Sequence, residues 1–298
     1  LKDAIAYVMD VEFVWGFQCR VAGMSKTSPS FLYPPPTTVL GALSNVISRE
    51  LGLGEADGTL VMSSLSKNLL AIGWRPINSV PIKYEDINRI ISVKITSGRL
   101  YPDPSDLGRS FDSPARGKTI LSSLDDESPK IRWILVFSGE KVRTENYDFE
   151  LKKKHFWRIS RIGSKESLVS VSNVWKIDEV NFKFPPCIET TNYSFPLLCG
   201  VIPKNKLSGK WEYEAYINPF DLGKYSPQDN PVTYYLGGKR ILSFSVPMLS
   251  SRLRRPEFLL ELRSCNSLGG KRVVYYEVEL NEIEKIGLVG RSPNGASN

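Results

Sequence analysis

From Ala4 to Val21 apolar and polar side chains alternate in a run rich in Val, Phe, Tyr and Trp, which predicts a long strand. Ala6, Val8, Asp10, Glu12 and Val14 fall on one face; Tyr7, Met9, Val11, Phe13 and Trp15 fall on the other. Three prolines, Pro34 to Pro36, then interrupt the chain. Behind them Val39, Leu43, Val46 and Ile47 recur at helical spacing, with Thr37 or Thr38 as the N-cap. Thr59 to Asn68 reads as helix, and Leu69 to Trp74, Ile90 to Ile95 and Ile131 to Phe137 read as strands. Between the last two runs lies a polar excursion broken by Pro102, Pro104, Gly108, Pro114 and Gly117. A loop that long inside a compact domain is usually functional or disordered.

From Tyr147 the period turns helical, placing Leu151, His155, Phe156 and Ile159 on one face and Lys154, Arg158 and Arg161 on another. Gly163 ends this predicted helix, and Ser167 to Val174 reads as a strand. Lys152 to Lys165 holds six Lys/Arg and no acid. Such a run is commonly a solvated face, but Phe156 and Trp157 interleave with it, as on surfaces that track phosphates and stack bases. The last third is rich in strands. It repeats Leu-Gly-Gly-Lys-Arg at 236–240 and 268–272, each copy preceding a β-type run, Ile241 to Val246 and Val273 to Val278. Paired glycines suit hairpin turns because both tolerate positive φ. The tail from Gly290 to Asn298 is expected to be mobile.

The 298 residues carry 41% hydrophobic and 24% charged side chains, enough for a packed core and unlike a disordered chain. Twenty prolines, 22 glycines, 13 Phe, 13 Tyr and 6 Trp favour short strands and turns over a helical bundle. The net charge of +7 is modest, so local patches matter more than the total. The longest uncharged stretch, Thr27 to Ser48, contains four prolines and cannot span a bilayer as a helix. With no recognisable signal peptide, the expectation is a cytoplasmic protein without membrane association. Four dispersed cysteines, Cys19, Cys187, Cys199 and Cys265, are then expected as free thiols. One histidine, His155, argues against histidine metal sites and Ser/His/Asp triads. Phosphate-binding, dinucleotide and hydrolase signatures are absent. Asp125-Asp126-Glu127 reads as solvated acids in a Ser-rich loop. No metal or cofactor is expected.

Two segments carry a family resemblance. Phe17-Gln18-Cys19-Arg20-Val21-Ala22-Gly23, continuing through Ser28-Pro29-Ser30-Phe31-Leu32-Tyr33-Pro34-Pro35-Pro36-Thr37-Thr38-Val39-Leu40-Gly41-Ala42-Leu43, resembles the N-terminal signature of the Cas five family of CRISPR-associated RAMP proteins. Arg158-Ile159-Ser160-Arg161-Ile162-Gly163-Ser164-Lys165-Glu166-Ser167-Leu168-Val169-Ser170-Val171 resembles its archaeal type I-A branch. The resemblance implies an α+β chain. Residues 1–140 would form a ferredoxin-like, RNA-recognition-motif type domain with a thumb-like insertion at about 88–130; 141–298 would be a basic helix and a β-rich C-terminal region. It implies a non-enzymatic subunit of a Cascade interference complex that holds the 5′ handle of the CRISPR RNA and caps the filament. Its partners would be the repeated backbone subunit, the large and small subunits and, indirectly, target DNA.

Single-stranded RNA is held by cations along its phosphates and by aromatic rings under its bases. On that chemistry the candidate contacts are Arg20, Lys26, Thr27 and Ser28 near the first strand, and Arg99, Arg109, Arg116 and Lys118 in the excursion. Lys154, Trp157, Arg158, Arg161 and Lys165 follow in the basic run, and Lys239 and Arg240 at the first Gly-Gly copy. The alternative is a metal-independent endoribonuclease that processes precursor RNA, centred on Lys154 and His155. Such cleavage needs a base for the 2′-hydroxyl and a cation for the phosphate.

Overall fold

The computed structural model describes residues 4–19, 21, 30–84, 94–96, 99–101, 117–144, 146–223, 231–249, 255–265, 272–281 and 284–293. The first strand, β1 (Ile5–Phe13), stops earlier than its alternation predicts, because Gly16 at φ +140° turns the chain into a two-residue strand, β2 (Gly16–Phe17), in another sheet. Helix α1 (Pro36–Glu50) follows with Pro36 inside its first turn, where a missing N–H costs nothing. Pro35, rather than Thr37 or Thr38, occupies the N-cap position. Helix α2 (Glu55–Asn68) leads into β3 (Leu69–Pro76), β4 (Ser79–Tyr84), β5 (Lys94–Thr96), β6 (Arg99–Tyr101), β7 (Lys118–Ser123) and β8 (Lys130–Phe137).

The basic run departs from expectation. A hairpin of β9 (Lys141–Arg143) and β10 (Asp148–Glu150) turns where the Tyr147 amide donates to the Thr144 hydroxyl at 2.7 Å. Only Lys153–Trp157 is helical, as α3. Gly163 at φ +123° therefore shapes a turn beyond the helix instead of ending it. Then come β11 (Val169–Ile177), β12 (Asn181–Lys183), β13 (Cys187–Thr191), β14 (Phe195–Pro196), β15 (Val201–Ser208) and β16 (Lys210–Ile217). The chain continues through α4 (Pro231–Leu236), β17 (Ile241–Met248), β18 (Glu257–Leu262), β19 (Val273–Leu280) and β20 (Glu284–Arg291). The first Gly-Gly pair ends α4: the Gly237 amide donates to Thr233 O at 3.0 Å, and Gly238 takes φ +72°. It is a helix terminus, not the expected hairpin turn. Of the second copy, Leu268 to Lys271 lie outside the described residues. Gly290 and Arg291, assigned from sequence to a mobile tail, belong to β20.

One antiparallel sheet in the order β11-β1-β8-β3-β20-β19-β12 organises the molecule and draws strands from both sides of residue 140. Its faces feed separate cores. Tyr7, Met9, Val11 and Phe13 of β1 join Val39, Leu40 and Leu43 of α1 with Trp74, Trp133 and Phe156. Ala6 and Val8 face Tyr193, Val274, Tyr276 and Leu288. Each large side chain buried this way contributes about 1.5–3 kcal/mol. Trp74 and Trp133, register partners on β3 and β8, stack at 4.8 Å between centroids.

Buried charges across the sheet are paired, as their desolvation demands. Arg132 on β8 grips Asp10 on β1 at 2.6 and 2.8 Å and Glu284 on β20 at 2.9 Å; Arg75 on β3 reaches Glu284 at 2.7 Å. At the end of β20, Arg291 donates to the carbonyls of Ser66, Lys67, Leu69 and Phe220, each at 2.8 Å. Its guanidinium thereby caps the C-terminus of α2, where cations are favoured. Two smaller sheets, β13-β18-β15 and β14-β17-β16, complete the C-terminal half. Cys199 and Cys265 form a disulfide, correcting the expectation of four free thiols; Cys19 and Cys187 remain free. No helix among the described residues is long and apolar enough to cross a membrane.

Candidate nucleic-acid interface

The two segments singled out in the sequence meet. The Gln18 amide donates to Ser167 Oγ at 3.0 Å, the Ser164 amide to Gln18 O at 3.2 Å, and the Trp15 indole to Glu166 O at 2.9 Å. Residues 20 and 22–29 lie outside the description, but both flanks of that stretch are anchored. On the far side Thr119 of β7 donates to Phe31 O at 2.5 Å. The Leu32 amide donates to both oxygens of Glu214 on β16, at 2.8 and 3.0 Å. Tyr33 donates to Pro247 O at 2.7 Å. Glu214 also accepts from Tyr216 at 2.5 Å and pairs with Lys83 of β4 at 3.2 Å.

Beside this junction, α3 sits with Phe156 stacked on Tyr7 at 4.3 Å and Trp157 47% exposed. Lys154 and Arg158 converge on Glu50 at the end of α1, at 2.5 and 2.8 Å. The Lys154 ammonium is the main reason the Glu50 carboxyl is held below its ordinary range. His155 is buried; its Nδ1 accepts the Lys152 amide at 3.1 Å and its Nε2 lies 3.5 Å from Glu50. Burial lowers its pKa, and the Glu50 carboxylate partly opposes that shift. Between α1 and the 158–161 segment lies a cleft of about 270 Å³, whose charged lining is Arg49, Glu50, Arg158 and Arg161.

A third part of the surface is the pair of arms β4 and β7. They run in register from Ser79 opposite Ser123 to Tyr84 opposite Lys118, and Ile82, Tyr84 and Ile120 are exposed there. The expected insertion at about 88–130 is thereby narrowed: 118–123 is paired strand and 124–129 its turn toward β8, so the excursion runs between Tyr84 and Lys118. Within it β5 and β6 form a two-stranded ribbon.

No family model matches the chain. The crystal structure of a CRISPR protein from Archaeoglobus fulgidus superposes with a TM-score of 0.68 at 43% identity, covering 97% of this chain and 100% of that one. CRISPR system aCascade subunit Cas5 1 of Saccharolobus solfataricus is 25% identical over 266 residues, 88% of this chain and 95% of that protein. CRISPR-associated protein Cas5 3 of the same organism is 27% identical over 267 residues, again 88% and 95%.

The chain belongs to the Cas5 family.

In this Cas5 protein Lys154, Trp157, Arg158, Arg161 and Lys165 lie on one continuous segment beside α1, although the single helix expected to present them is absent. Arg161 instead pairs through its backbone with Leu168, and Lys165 lies 3.8 Å from Glu166. Lys118 is exposed at the start of β7, and Arg99 opens β6. Arg20, Lys26, Thr27, Ser28, Arg109 and Arg116 lie outside the described residues. Lys239 and Arg240 stand between α4 and β17, where Arg240 donates to Leu222 O at 3.2 Å. Sequence reasoning missed Arg49, Glu50 and Glu214. Arg49 and Glu50 close an amphipathic helix and read there as ordinary solvated charges. Glu214 sits in an alternating strand with no local mark of burial. Among the described residues no group of three His, Cys, Asp or Glu could hold a metal ion.

Proposed function

We propose that this Cas5 chain is a non-catalytic, RNA-binding subunit of a Cascade complex that holds the 5′ handle of the CRISPR RNA and caps the backbone filament. The observation that carries the reading is the contact between the 17–43 and 158–171 segments, where Ser164 and Ser167 hold Gln18, so that the run carrying exposed Trp157, Arg158 and Arg161 leads into one anchored flank of residues 20–29. Cations and an exposed ring are what a single strand of RNA requires. A relative that bears the name of a Cascade subunit supports the assignment to that complex. The order β11-β1-β8-β3, with helices between β1 and β3 and between β8 and β11, supports a ferredoxin-like unit. The backbone subunit is the partner expected along the β4–β7 arms. The large and small subunits would be its further neighbours, with target DNA met only through the complex.

The surroundings of His155 support the non-catalytic reading. A general base needs a free nitrogen within reach of the hydroxyl it deprotonates. Here one nitrogen accepts a backbone amide, the other faces Glu50, and the ring is buried. Repeat-containing RNA incubated without metal, together with the neighbouring subunits, tests the proposal. Binding without cleavage is expected, and neutralising about four phosphates gives a slope near −3 for log K against log salt. Metal-free cleavage abolished by His155→Ala would select the endoribonuclease instead; neither binding nor cleavage would reject both.

A further inference from the structure

The geometry points to the cleft between α1 and residues 158–161 as a phosphate-binding site in which Arg49 and Arg161 grip the oxyanion. This rests on the RNA-binding reading above and deepens it by naming the group held and the residues that hold it. Three arginines, Arg49, Arg158 and Arg161, and one carboxylate, Glu50, line the cleft. Glu50 is already engaged by Lys154 and Arg158. Among the described residues no acid lies within 4.0 Å of Arg49 or Arg161, yet both line the same cleft. The one carboxylate in the cleft lining, Glu50, is taken up by Lys154 and Arg158, so Arg49 and Arg161 leave an excess of positive charge that an anion would offset. Arginine's planar fork matches phosphate oxygens two at a time. Asn45 of α1 and Ser160 of the facing segment, also in the lining, add neutral hydrogen-bonding capacity.

Size and polarity narrow the ligand further. About 270 Å³ is at the lower edge of the roughly 300–1,000 Å³ common for ligand pockets. The charged, open walls suit a small anion held at the surface while the rest of its molecule stays outside. A phosphate of an RNA strand, a nucleotide or inorganic phosphate presents the same chemistry. The rival for Arg49 is a purely structural role, since it lies in the last turn of α1 where a cation offsets the helix dipole. That role would affect stability without phosphate and would leave Arg161 unexplained.

The test uses the whole chain, with an Arg49→Gln/Arg161→Gln double variant and a charge-matched Lys210→Gln/Lys285→Gln control. Thermal melts are followed at constant ionic strength in chloride, inorganic phosphate and adenosine monophosphate, and single-stranded RNA binding is followed by anisotropy across salt. Phosphate should raise the wild-type and control midpoints but not that of the double variant. RNA affinity should fall at least about tenfold in the double variant, and its salt slope should flatten by about 1.4, two contacts at 0.7 each. A response to RNA and not to the small anions would identify the strand as the source, provided the double variant loses it. If the double variant matches wild type in both assays, or the control loses as much, the site is refuted while RNA binding by the chain stands. If the wild type ignores RNA but loses its phosphate response in the double variant, the site stands and the RNA reading fails.

Discussion

Replacing Glu214 by Ala removes the acceptor that joins three parts of the chain: the return of the 20–29 stretch at Leu32, the β16 tyrosine Tyr216, and Lys83 on the β4 arm. The Tyr216 hydroxyl has no exposed surface and the Leu32 amide is partly buried, so both would lose their acceptor away from bulk water. An orphaned buried donor costs about 1–3 kcal/mol, which for two donors gives about 2–6 kcal/mol. Lys83 is 41% exposed and adds at most about 1 kcal/mol. Glu214→Gln keeps one acceptor oxygen but turns an NH2 toward a donor, so it should lose roughly half as much. Urea unfolding gives the free energies, and hydrogen exchange at the Leu32 amide gives the local effect. The expected result is a loss of several kcal/mol for Ala, an intermediate loss for Gln, and faster Leu32 exchange in both. An Ala variant within about 0.5 kcal/mol of wild type, with Leu32 exchange unchanged, would show that the carboxylate does not hold these segments together.

His155 predicts a pH dependence with a definite sign. Burial lowers its folded pKa, and the charged groups facing it are Glu50 from α1 with Lys154 and Arg158 from its own segment. Stability is therefore full above the unfolded value of about 6.5 and falls as pH drops below it, because the unfolded chain takes up the proton first. His155→Gln should flatten unfolding free energy between about pH 7 and 5; an unchanged slope would refute this. Gly16→Ala would set a Cβ 2.0 Å from Thr119 O at φ +140°, and should lower the melting midpoint and loosen β2 from β7. A midpoint equal to wild type would mean the β2 turn relaxes freely. Replacing residues 85–117 by an Asn-Gly turn joins the register partners Tyr84 and Lys118 and should leave the melting midpoint intact. Assembly with CRISPR RNA and the backbone subunit should nonetheless weaken at least about tenfold, about 1.4 kcal/mol, on size-exclusion with labelled RNA. Normal assembly would make that excursion dispensable.

Elements set by their own period were legible. Strands β1, β3 and β8 stand out as apolar-rich runs, which the structure buries on both faces, and α1 stands out by its helical spacing. The misreadings have a common cause in backbone geometry that side-chain pattern does not encode. Gly16 at positive φ redirects the chain where alternation would have carried it on, and the basic run leaves its helix at Trp157, well before the glycine expected to end it. Leu151, Phe156 and Ile159 are buried as expected, but one short helical turn and its flanks suffice to bury them, so the same spacing overstated the helix. At the candidate site the cationic run was visible as composition. What neutralises it was not, since Glu50 lies 104 residues from Lys154. The Cys199–Cys265 pair, 66 positions apart, was hidden in the same way.

The placement of β20 has a consequence for how the protein comes off the ribosome. This late strand lies inside the large sheet, between β3 and β19, and carries the arginine that closes the end of α2. Until residue 291 emerges, β3 presents an unpaired edge and α2 lacks its guanidinium cap. The N-terminal elements, though adjacent in sequence, must wait through translation of the entire C-terminal half before their sheet is complete. Open strand edges of that kind invite pairing with other chains. Truncated products ending before residue 284 should accordingly be poorly soluble, and early association with RNA or a chaperone would protect the nascent chain more than the finished one.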